Sequence, residues 1–375
     1  MSRSPIPVAL IGLSASATTS WASGGHLPYL LSPRGRGKYK IVALLNSSAE
    51  AARRAIEHFN LPAETRAYGD PRDLAADPEV QLVVCNTRVD NHDATTRPSI
   101  AAGKDIYVEW PLAQNAGVAR ELATLAAEKG VRSIVGLQGR VAPVYLKVAE
   151  IVRSGRVGKV LSSEVRASGG SISRRDLPEK LKYFLSKEIG GNVVTIGFGH
   201  LFDNIQHVLG EVTNPSYATH FRYPEIGIRD ASWNLVGTAT TDVPDLIVIS
   251  GGLRGREFVS EGANLTVRFR RGEPFKGEPG LVWTIEGDKG ELRLTAPSGP
   301  ALQSLAYDQP VTIEVHDYDT DQVTPVEWSW YDWQEELPLF SRNIGALYEA
   351  FAEGGEYPTF QDAAGRHEQL ERLYE

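Results

Sequence analysis

The fold is decided by the stretch Val8-Ala9-Leu10-Ile11-Gly12-Leu13-Ser14-Ala15, close to the start of a chain of 375 residues. Its first four residues form a wholly apolar run, which is typical of a strand covered on both faces. Similar runs recur before residue 140, separated by stretches with helical periodicity. They are Ile41–Leu45, Gln81–Cys85, Ile106–Val108 and Ser133–Leu137. Strands that alternate with helices predict an open, doubly wound parallel sheet with its ligand site at the carboxyl ends of the strands.

Gly12 lies directly after the first strand, where a doubly wound domain places a glycine-rich turn. There, Gly12, Ser14 and Ala15 would present backbone N–H groups to the pyrophosphate of a dinucleotide at a helix N-terminus. The match to the full motif is partial, because Ser14 replaces the second glycine and the third has no clear counterpart before Gly24. Taken alone, the turn is equally compatible with an ordinary strand–helix connection.

The end of the second strand indicates which dinucleotide is preferred. It reads Asn46-Ser47-Ser48, whereas an acidic residue here binds the ribose hydroxyls and favours NAD. Asn46 carries no charge that would repel a 2′-phosphate, and Ser47, Ser48, Arg53 or Arg54 can donate hydrogen bonds to one. The sequence therefore slightly favours NADP over NAD, although such arginines more often form a solvated helix face.

A longer and more specific pattern follows the third strand. Val83–His92 contains Thr87, and Ala101–Ala113 contains Glu109-Trp110-Pro111. In order, spacing and residue type, these segments resemble the glucose–fructose oxidoreductase / inositol dehydrogenase / rhizopine-catabolism family of NAD(P)-dependent proteins. The resemblance continues through Leu137–Arg140, Gly190–Asp203 and Ile285–Leu292, and so covers nearly the whole chain.

This resemblance implies a set of ligand-binding residues. Trp21 and Trp110 would line the pyrophosphate and nicotinamide, although large apolar side chains are core residues by default. The residues expected to bind the cofactor are Gly12, Ser14, Ala15, Trp21, Asn46, Ser47, Thr87, His92, Glu109, Trp110 and Gln138. Arg140 and Asp203 are expected to bind the substrate. No metal is expected, because the scattered carboxylates have no recognisable ligand spacing.

Two departures from the family pattern concern catalysis. Trp110 stands where the family has a lysine in E-K-P, and Ile196 stands where it has an aspartate. Tryptophan cannot exchange the proton that such a lysine gives or takes beside the hydride-transfer centre. His200 keeps the family's histidine and is the main catalytic candidate, with Tyr183 and Lys182 as further proton donors or positive charges. The alternatives are a packing histidine and a loop that only folds over the site.

The E-W-P variant resembles a subgroup of the family whose yeast members repress the galactose pathway through protein–protein contact. Two functions follow. The first is an NAD(P)-dependent oxidoreductase that transfers a hydride between nicotinamide and a C–OH/C=O or imine centre of a small polar, sugar-like substrate. The second is a catalytically inactive NAD(P)-binding regulator. The absence of obvious partner-binding insertions favours the enzyme.

From Arg140 onward the sequence changes to strands with few helices, which predicts an α+β domain on a large, mostly antiparallel open sheet. The expected boundaries are 1–139 for the dinucleotide-binding domain, 140–334 for a substrate and oligomerisation domain, and 335–375 for helices that pack back on the first domain. By resemblance, the large sheet is expected to form a homodimer.

Composition excludes several other classes of protein. The 39 Lys+Arg against 47 Asp+Glu give a net charge of −8, which argues against nucleic-acid binding. The single cysteine, Cys85, cannot form an internal disulfide and is expected to be buried. No apolar stretch approaches the roughly 18 residues of a membrane span, and no signal peptide is visible. A cytoplasmic protein without membrane partners is therefore expected.

Overall fold

The computed structural model describes residues 4–16, 21–169 and 173–375, and the chain divides into two compact units. The first unit consists of Met1–Gln138, Glu188–Gly191 and Asp332–Glu368. The second consists of Gly139–Lys187, Asn192–Tyr331 and Gln369–Glu375.

The first unit contains a six-stranded sheet in which every neighbouring pair is parallel. Its strands are β1 (Ile6–Ile11), β2 (Tyr39–Leu45), β3 (Arg66–Tyr68), β4 (Leu82–Cys85), β5 (Asp105–Val108) and β6 (Ser133–Val135). Their order in space is β3-β2-β1-β4-β5-β6, which is the doubly wound order with a reversal beside β1. The predicted sheet is confirmed. The short, half-buried strand β3 was not predicted.

Helices of the first unit, numbered along the whole chain, alternate with these strands and follow them. They are α1 (Leu27–Leu31), α2 (Pro33–Arg36), α3 (Ala49–His58), α4 (Pro71–Ala76), α5 (His92–Ala101), α6 (Ala116–Lys129), α9 (Asp332–Glu335), α10 (Leu339–Glu353) and α11 (Phe360–Glu371). A π-helical turn, Ala22–His26, precedes α1, and a 3-10 turn, Val89–Asn91, precedes α5. Asn115 caps the first turn of helix α6, and Gly130 ends the helix in the left-handed conformation.

A group of buried tyrosines joins α10 to the parallel sheet within the first unit. The ring of Tyr348 stacks on that of Tyr29 at 5.3 Å between centroids. It also meets Tyr39 at 5.0 Å and Tyr107 at 5.4 Å, which lie on β2 and β5. Aromatic side chains bury large areas and favour such tilted and stacked contacts, so Tyr348 fixes α10 against the sheet.

Lys104 closes the turn between α5 and β5. Its ammonium group is buried and donates hydrogen bonds to the carbonyl oxygens of Asp77 (2.6 Å) and Val80 (2.9 Å). Both carbonyls belong to the segment that leads into β4, so this lysine ties two neighbouring strand entries together. Charge-assisted hydrogen bonds of this kind are stronger than neutral ones.

The second unit is built on an eight-stranded sheet in the order β17-β16-β15-β14-β7-β13-β12-β9. The strands are β7 (Val160–Gly169), β9 (Val212–His220), β12 (Leu246–Leu253), β13 (Val259–Arg271), β14 (Leu281–Gly287), β15 (Gly290–Ala296), β16 (Thr312–Asp317) and β17 (Gln322–Val326). Within this sheet the β7–β13 pair is parallel and the other pairs are antiparallel. The predicted large, mostly antiparallel sheet is confirmed.

One face of this sheet is covered and the other is open. Helices α7 (Pro143–Arg153) and α8 (Gly199–Leu209) lie on the covered face, where Tyr145 meets Trp283 and Phe198 meets Phe269. Along β13, alternate residues such as Phe269 are fully buried, while Arg268 between them is exposed. Such alternation is typical of an antiparallel sheet with one solvated face.

A smaller three-stranded sheet, in the order β11-β10-β8, completes the second unit. Its strands are β8 (Asp176–Pro178), β10 (Glu225–Arg229) and β11 (Leu235–Thr240). A 3-10 helix, Glu179–Leu185, packs on it through a cluster of Leu177, Leu185, Ile226 and Ile228. In the parts of the chain that the structure describes, no helix has both the length and the apolar character needed to span a bilayer.

Candidate functional site

Gly12 brings the ends of β1 and β4 together at the carboxyl edge of the parallel sheet. Its φ of 89° lies in the left-handed region that favours glycine, and its N–H donates to the carbonyl of Leu45 at 3.0 Å. A side-chain carbon at this position would lie 3.1 Å from Thr87 Cγ2 and 3.2 Å from the Asn86 carbonyl group. The glycine therefore allows the turn after β1 to lie against the loop after β4, as the predicted dinucleotide turn requires.

Polar atoms at this edge are buried without protein partners. Both amide atoms of Asn86 and of Gln138, and Nε1 of Trp21, have no hydrogen-bond partner among residues 4–16, 21–169 and 173–375. Asn86 follows β4, and Gln138 follows β6 in a short 3-10 helix. A buried amide without a partner costs on the order of 1–3 kcal/mol, so such groups point to a ligand that is polar where it meets them. A dinucleotide, with its amide, hydroxyl and phosphate groups, fits this requirement.

Ser14 and Ala15 form the turn after Gly12. The Ser14 hydroxyl accepts a hydrogen bond from the Ser16 N–H at 3.3 Å and lies 3.2 Å from the Ser16 hydroxyl. Ala15 is exposed. The remainder of the predicted turn, residues 17–20, lies outside the described residues.

The Asn46-Ser47-Ser48 segment is partly used by the fold itself. The Asn46 amide nitrogen donates to the carbonyl of Leu13 at 2.9 Å, so its oxygen is the atom left for a ligand. Ser48 accepts from the Ala51 N–H and caps α3, and Arg54 pairs with Glu50. The other two predicted donors to a 2′-phosphate, Ser47 and Arg53, are exposed. Their side chains make no hydrogen bond or ion pair with the described residues.

His92 holds the loop after β4 against the Glu109-Trp110-Pro111 segment. Its Nε2 lies 2.9 Å from the carbonyl oxygen of Thr87, and its Nδ1 lies 3.1 Å from that of Pro111. Burial lowers the pKa of His92, while the carbonyl oxygens of Thr87, Leu112 and Pro111 around its ring act in the opposite direction. The structure thus places His92 beneath the loops that border the site, fully enclosed, where it positions Thr87.

Glu109 is held from two sides in the interior. Its carboxylate lies 2.8 Å from Nε2 of His26, whose Nδ1 lies 2.8 Å from the hydroxyl of Tyr348. A side-chain carbon at Gly136 would lie 2.5 Å from the other carboxylate oxygen, so only glycine fits there. His26 was not among the predicted site residues. The sequence offered one signal for His26, its position after the glycine-rich turn. Its partners, Glu109 and Tyr348, lie 83 and 322 residues away in the sequence.

Trp110 occupies a buried position, and its peptide bond to Pro111 is cis. Its ring lies 4.7 Å from that of His367 on α11. His367 Nε2 is buried without a hydrogen-bond partner in the described part of the chain, and burial lowers the pKa of His367 to about 3. The position at which the family has a lysine is therefore occupied here by an indole, and a neutral imidazole packs against it. His367 was not predicted either.

His200 begins α8 in the second unit and is 6% exposed. Asn192 starts the π-helical turn Val193–Phe198 that leads into α8, with its side-chain oxygen accepting from the N–H groups of Val194 and Thr195. The Asn192 amide nitrogen is buried without a partner among the residues described. Asn192 thus adds to the candidate site an unsatisfied donor that the sequence did not indicate.

Arg140 and Asp203, the two predicted substrate residues, bind each other. The Arg140 guanidinium donates to both carboxylate oxygens of Asp203, at 2.9 and 2.7 Å. Asp203 is fully buried, and this two-pronged geometry is the strongest form of the Arg–carboxylate pair. The pair ties α8 to the segment after Gln138.

Lys182 and Tyr183 both lie on the 3-10 helix Glu179–Leu185, on the small lobe formed by the three-stranded sheet. Lys182 is exposed, and the Tyr183 ring is half-buried with its centroid 4.9 Å from that of Phe184. Cys85 is buried, as predicted, and burial raises the pKa of its thiol. Among residues 4–16, 21–169 and 173–375, no group of three His, Cys, Asp or Glu side chains is arranged to hold a metal ion.

Two family models match the chain. The model described as an oxidoreductase family with an NAD-binding Rossmann fold matches residues 6–137, and the model of the Gal80p C-terminal domain matches residues 143–296. Dehydrogenase aclE of Aspergillus oryzae is 34% identical over 294 residues, which are 78% of this chain and 77% of that protein. The galactose/lactose metabolism regulatory protein of Saccharomyces cerevisiae is 28% identical over 304 residues, 79% of this chain and 68% of that protein.

Solved structures share the fold over almost the full length. A super-repressor mutant of Gal80p from Saccharomyces cerevisiae has a TM-score of 0.85 at 24% identity and covers 99% of this chain and 95% of its own. The apo form of levoglucosan dehydrogenase has a TM-score of 0.76 at 17% identity, covering 99% of this chain and 96% of its own.

Gln138→Met tests whether the buried amides await a ligand. Methionine keeps the shape of the side chain and removes two unsatisfied polar atoms, so the unfolding free energy of the free protein should stay the same or rise. Dinucleotide affinity, measured by calorimetric titration, should fall at least tenfold. Gln206→Met is the matched control, since Gln206 donates to Gln369 and accepts from the Val212 N–H. It should lose about 1–3 kcal/mol of stability and keep its dinucleotide affinity. A loss of stability in Gln138→Met would contradict this interpretation.

Proposed function

The chain belongs to the glucose–fructose oxidoreductase / inositol dehydrogenase family. From this membership and the geometry above, we propose that it is an NAD(P)-dependent oxidoreductase acting on a C–OH/C=O or imine centre of a small, polar, sugar-like molecule. The observation that carries the proposal is the pair of partnerless amides, Asn86 and Gln138, at the edge where the parallel strands end. The family relative that is 34% identical and named a dehydrogenase supports it.

The residues of the first unit fit a dinucleotide. Gly12 allows its close approach to the backbone, and the Asn46 side-chain oxygen accepts from a ribose hydroxyl. Asn86, Gln138 and Trp21 supply polar atoms that have no partner among the residues the structure describes. When bound, the nicotinamide supplies a carbon that accepts or donates a hydride. The contribution of the protein is to orient the reactants, keep water away and move the proton.

In this proposal the proton is moved by His200. Trp110 can donate only a weakly acidic indole N–H, and the neighbouring His367 is neutral, so this part of the first unit supplies no exchangeable proton at neutral pH. Histidine exchanges protons near pH 7, and His200 stands at the start of α8, which follows the π-helical turn capped by Asn192. Tyr183 and Lys182 are the further candidates for donating to a developing alkoxide.

His200→Gln tests this role, because glutamine keeps the size of the side chain but cannot exchange a proton. We expect kcat to fall at least tenfold with cofactor affinity unchanged, measured by following NAD(P)H absorbance during turnover. His207→Gln is the control on the same helix and should change kcat by less than twofold. Turnover that is equal in wild type and His200→Gln would remove His200 from the mechanism.

For the cofactor, we propose a preference for NADP that rests on Ser47 and Arg53. Both are exposed at the start of α3, next to the end of β2, where the ribose of a dinucleotide binds in this type of sheet. Ser48 and Arg54 do not contribute, because the first caps α3 and the second pairs with Glu50. Asn46 suits either cofactor through its side-chain oxygen.

Arg53→Gln and Arg54→Gln form a matched pair on this helix. The first should raise the Kd for NADPH at least fivefold and leave that for NADH unchanged, since only NADPH carries the 2′-phosphate. The second should change neither Kd. Fluorescence titration of the reduced cofactors gives both values, and an equal effect of Arg53→Gln on NADH and NADPH would contradict the preference.

A second function is a regulator that binds the dinucleotide and acts through protein contact. The specific observation in its favour is Trp110, which fills the place of the family's lysine with a side chain that is packed against His367. The two functions separate experimentally. Cofactor binding without turnover over a broad set of polyols, sugars and their keto forms would favour the regulator, and turnover would exclude it.

We propose in addition that two copies associate through the open face of the eight-stranded sheet. The exposed side chains at its centre include both signs of charge, with Glu164 on β7 beside Arg166 and Arg268. Opposite charges on one self-complementary patch suit a twofold contact. Light scattering should then give about twice the chain mass of 41.0 kDa, and Arg268→Glu should reduce it to a single copy. A single-copy mass for the wild type would contradict the proposal.

A further inference from the structure

A pocket of about 1170 Å³ opens on the second unit where β13 and β15 end. The loop Gly272–Gly280 between β13 and β14 forms one wall. The lining includes the cationic and aromatic side chains of Arg174, Arg222, Tyr223, Arg270, Phe275 and Lys276, together with the carboxylates of Glu273 and Glu278. None of them was part of the candidate dinucleotide and substrate residues.

The arginines of this pocket are fixed by the backbone. Arg174 and Arg270 both donate to the carbonyl oxygen of Glu273, at 2.9 and 2.8 Å, so their guanidinium groups converge on one atom. Arg222 donates to the carbonyl oxygens of Asp245 and Arg271, at 3.1 and 2.8 Å. Carbonyl oxygens orient a guanidinium without neutralising it, so the charges remain available to an anion.

The carboxylates nearby do not balance these charges. Asp245 is shared by Arg222 and Arg271. Glu278 lines the pocket, but it pairs with Arg166, which is not part of the lining. Glu273 approaches Arg174 at 3.4 Å, and no carboxylate approaches Arg270 or Lys276 within 4.0 Å in the described ranges, which leave out 170–172. Burial and the charges of Arg222, Arg174 and Arg268 lower the pKa of Arg270, as expected where like charges are crowded.

This concentration of positive charge occurs on a chain whose net charge is −8. Like charges held together cost free energy unless an anion joins them. The planar forks of arginine match the oxygens of a phosphate, and several of them converging at one place is the usual form of a phosphate site. At the rim, the ring of Phe275 is 77% exposed, which gives an organic group an apolar surface to lie on.

We propose that this pocket binds a small organic phosphate. Its phosphate group contacts Arg174 and Arg270, with Lys276 adding charge from the loop, and its organic part lies against Tyr223 and Phe275. The site is a binding site separate from the proposed chemistry of the dinucleotide, and it does not depend on that proposal.

Calorimetric titration of the full chain with phenyl phosphate and with inorganic phosphate tests the pocket. Arg270→Gln should weaken the binding of both at least tenfold. Lys276→Gln, on the exposed loop where folding is not at risk, should weaken both two- to fivefold. Phe275→Ala should weaken phenyl phosphate and leave inorganic phosphate unchanged. Raising the salt from 50 to 200 mM should weaken binding to wild type more than to Arg270→Gln.

Two controls locate the signal. Arg293→Gln removes an arginine on the same sheet that already pairs with Glu314, and it should bind like the wild type. Gln138→Met alters the dinucleotide residues and should also bind like the wild type. No binding of either phosphate at 10 mM, or equal binding in wild type and Arg270→Gln, would overturn the proposal. The proposal would also be overturned if the wild type bound no phosphate and Lys276→Gln lost self-association. That result would assign the pocket to contact between copies.

Discussion

The contact between His26 and Glu109 is the constraint on which the first unit depends. A buried carboxylate is costly unless a hydrogen-bonded partner accompanies it, and His26 supplies that partner at 2.8 Å. His26 comes from the π-helical turn after the glycine-rich segment, and Glu109 from the end of β5. The Tyr348 hydroxyl completes the chain from α10. Hydrogen bonds among His26, Glu109 and Tyr348 therefore connect the π-helical turn, the end of β5 and α10.

These hydrogen bonds explain why the Glu109-Trp110-Pro111 segment can contain an unusual residue and keep its backbone position. On one side Glu109 is fixed by His26, and on the other Pro111 is fixed through its carbonyl by His92. Trp110 lies between two anchored neighbours, so its identity changes the chemistry of the site and not the course of the backbone. Within this segment the departure from the family pattern is Trp110, which stands where the family has a charged lysine.

The sequence predicted best where the signals are local. The apolar run that ends at Gly12 placed β1 and the turn after it. Strand β3 escaped prediction because its three residues are half-buried and make no apolar run. His26 could not be assigned from sequence, since its partners lie 83 and 322 residues away.

Site residues recognised by missing partners form a different class. Asn86 and His367 look like ordinary interior residues in the sequence, because a side chain reveals that it lacks a hydrogen bond only when its surroundings are known. The opposite also occurred with Asp203, whose motif position suggested a ligand for substrate. Both of its oxygens accept from Arg140, so its primary effect is to hold that arginine and α8 in place.

The buried polar atoms of the candidate site that lack hydrogen-bond partners bear on the proposed mechanism. In the described part of the first unit, the candidate-site atoms without a hydrogen-bond partner belong to the amides of Asn86 and Gln138, the indole of Trp21 and the imidazole of His367, which is neutral near pH 7. A hydride transfer to or from a C–OH group always has a proton to move, because the oxygen changes its protonation when the carbon changes its oxidation state. With Trp110 in place of a lysine, the proposed enzyme needs another group to exchange this proton, and His200 is the group proposed for it. The absence of the family's lysine is therefore compatible with the proposed enzyme.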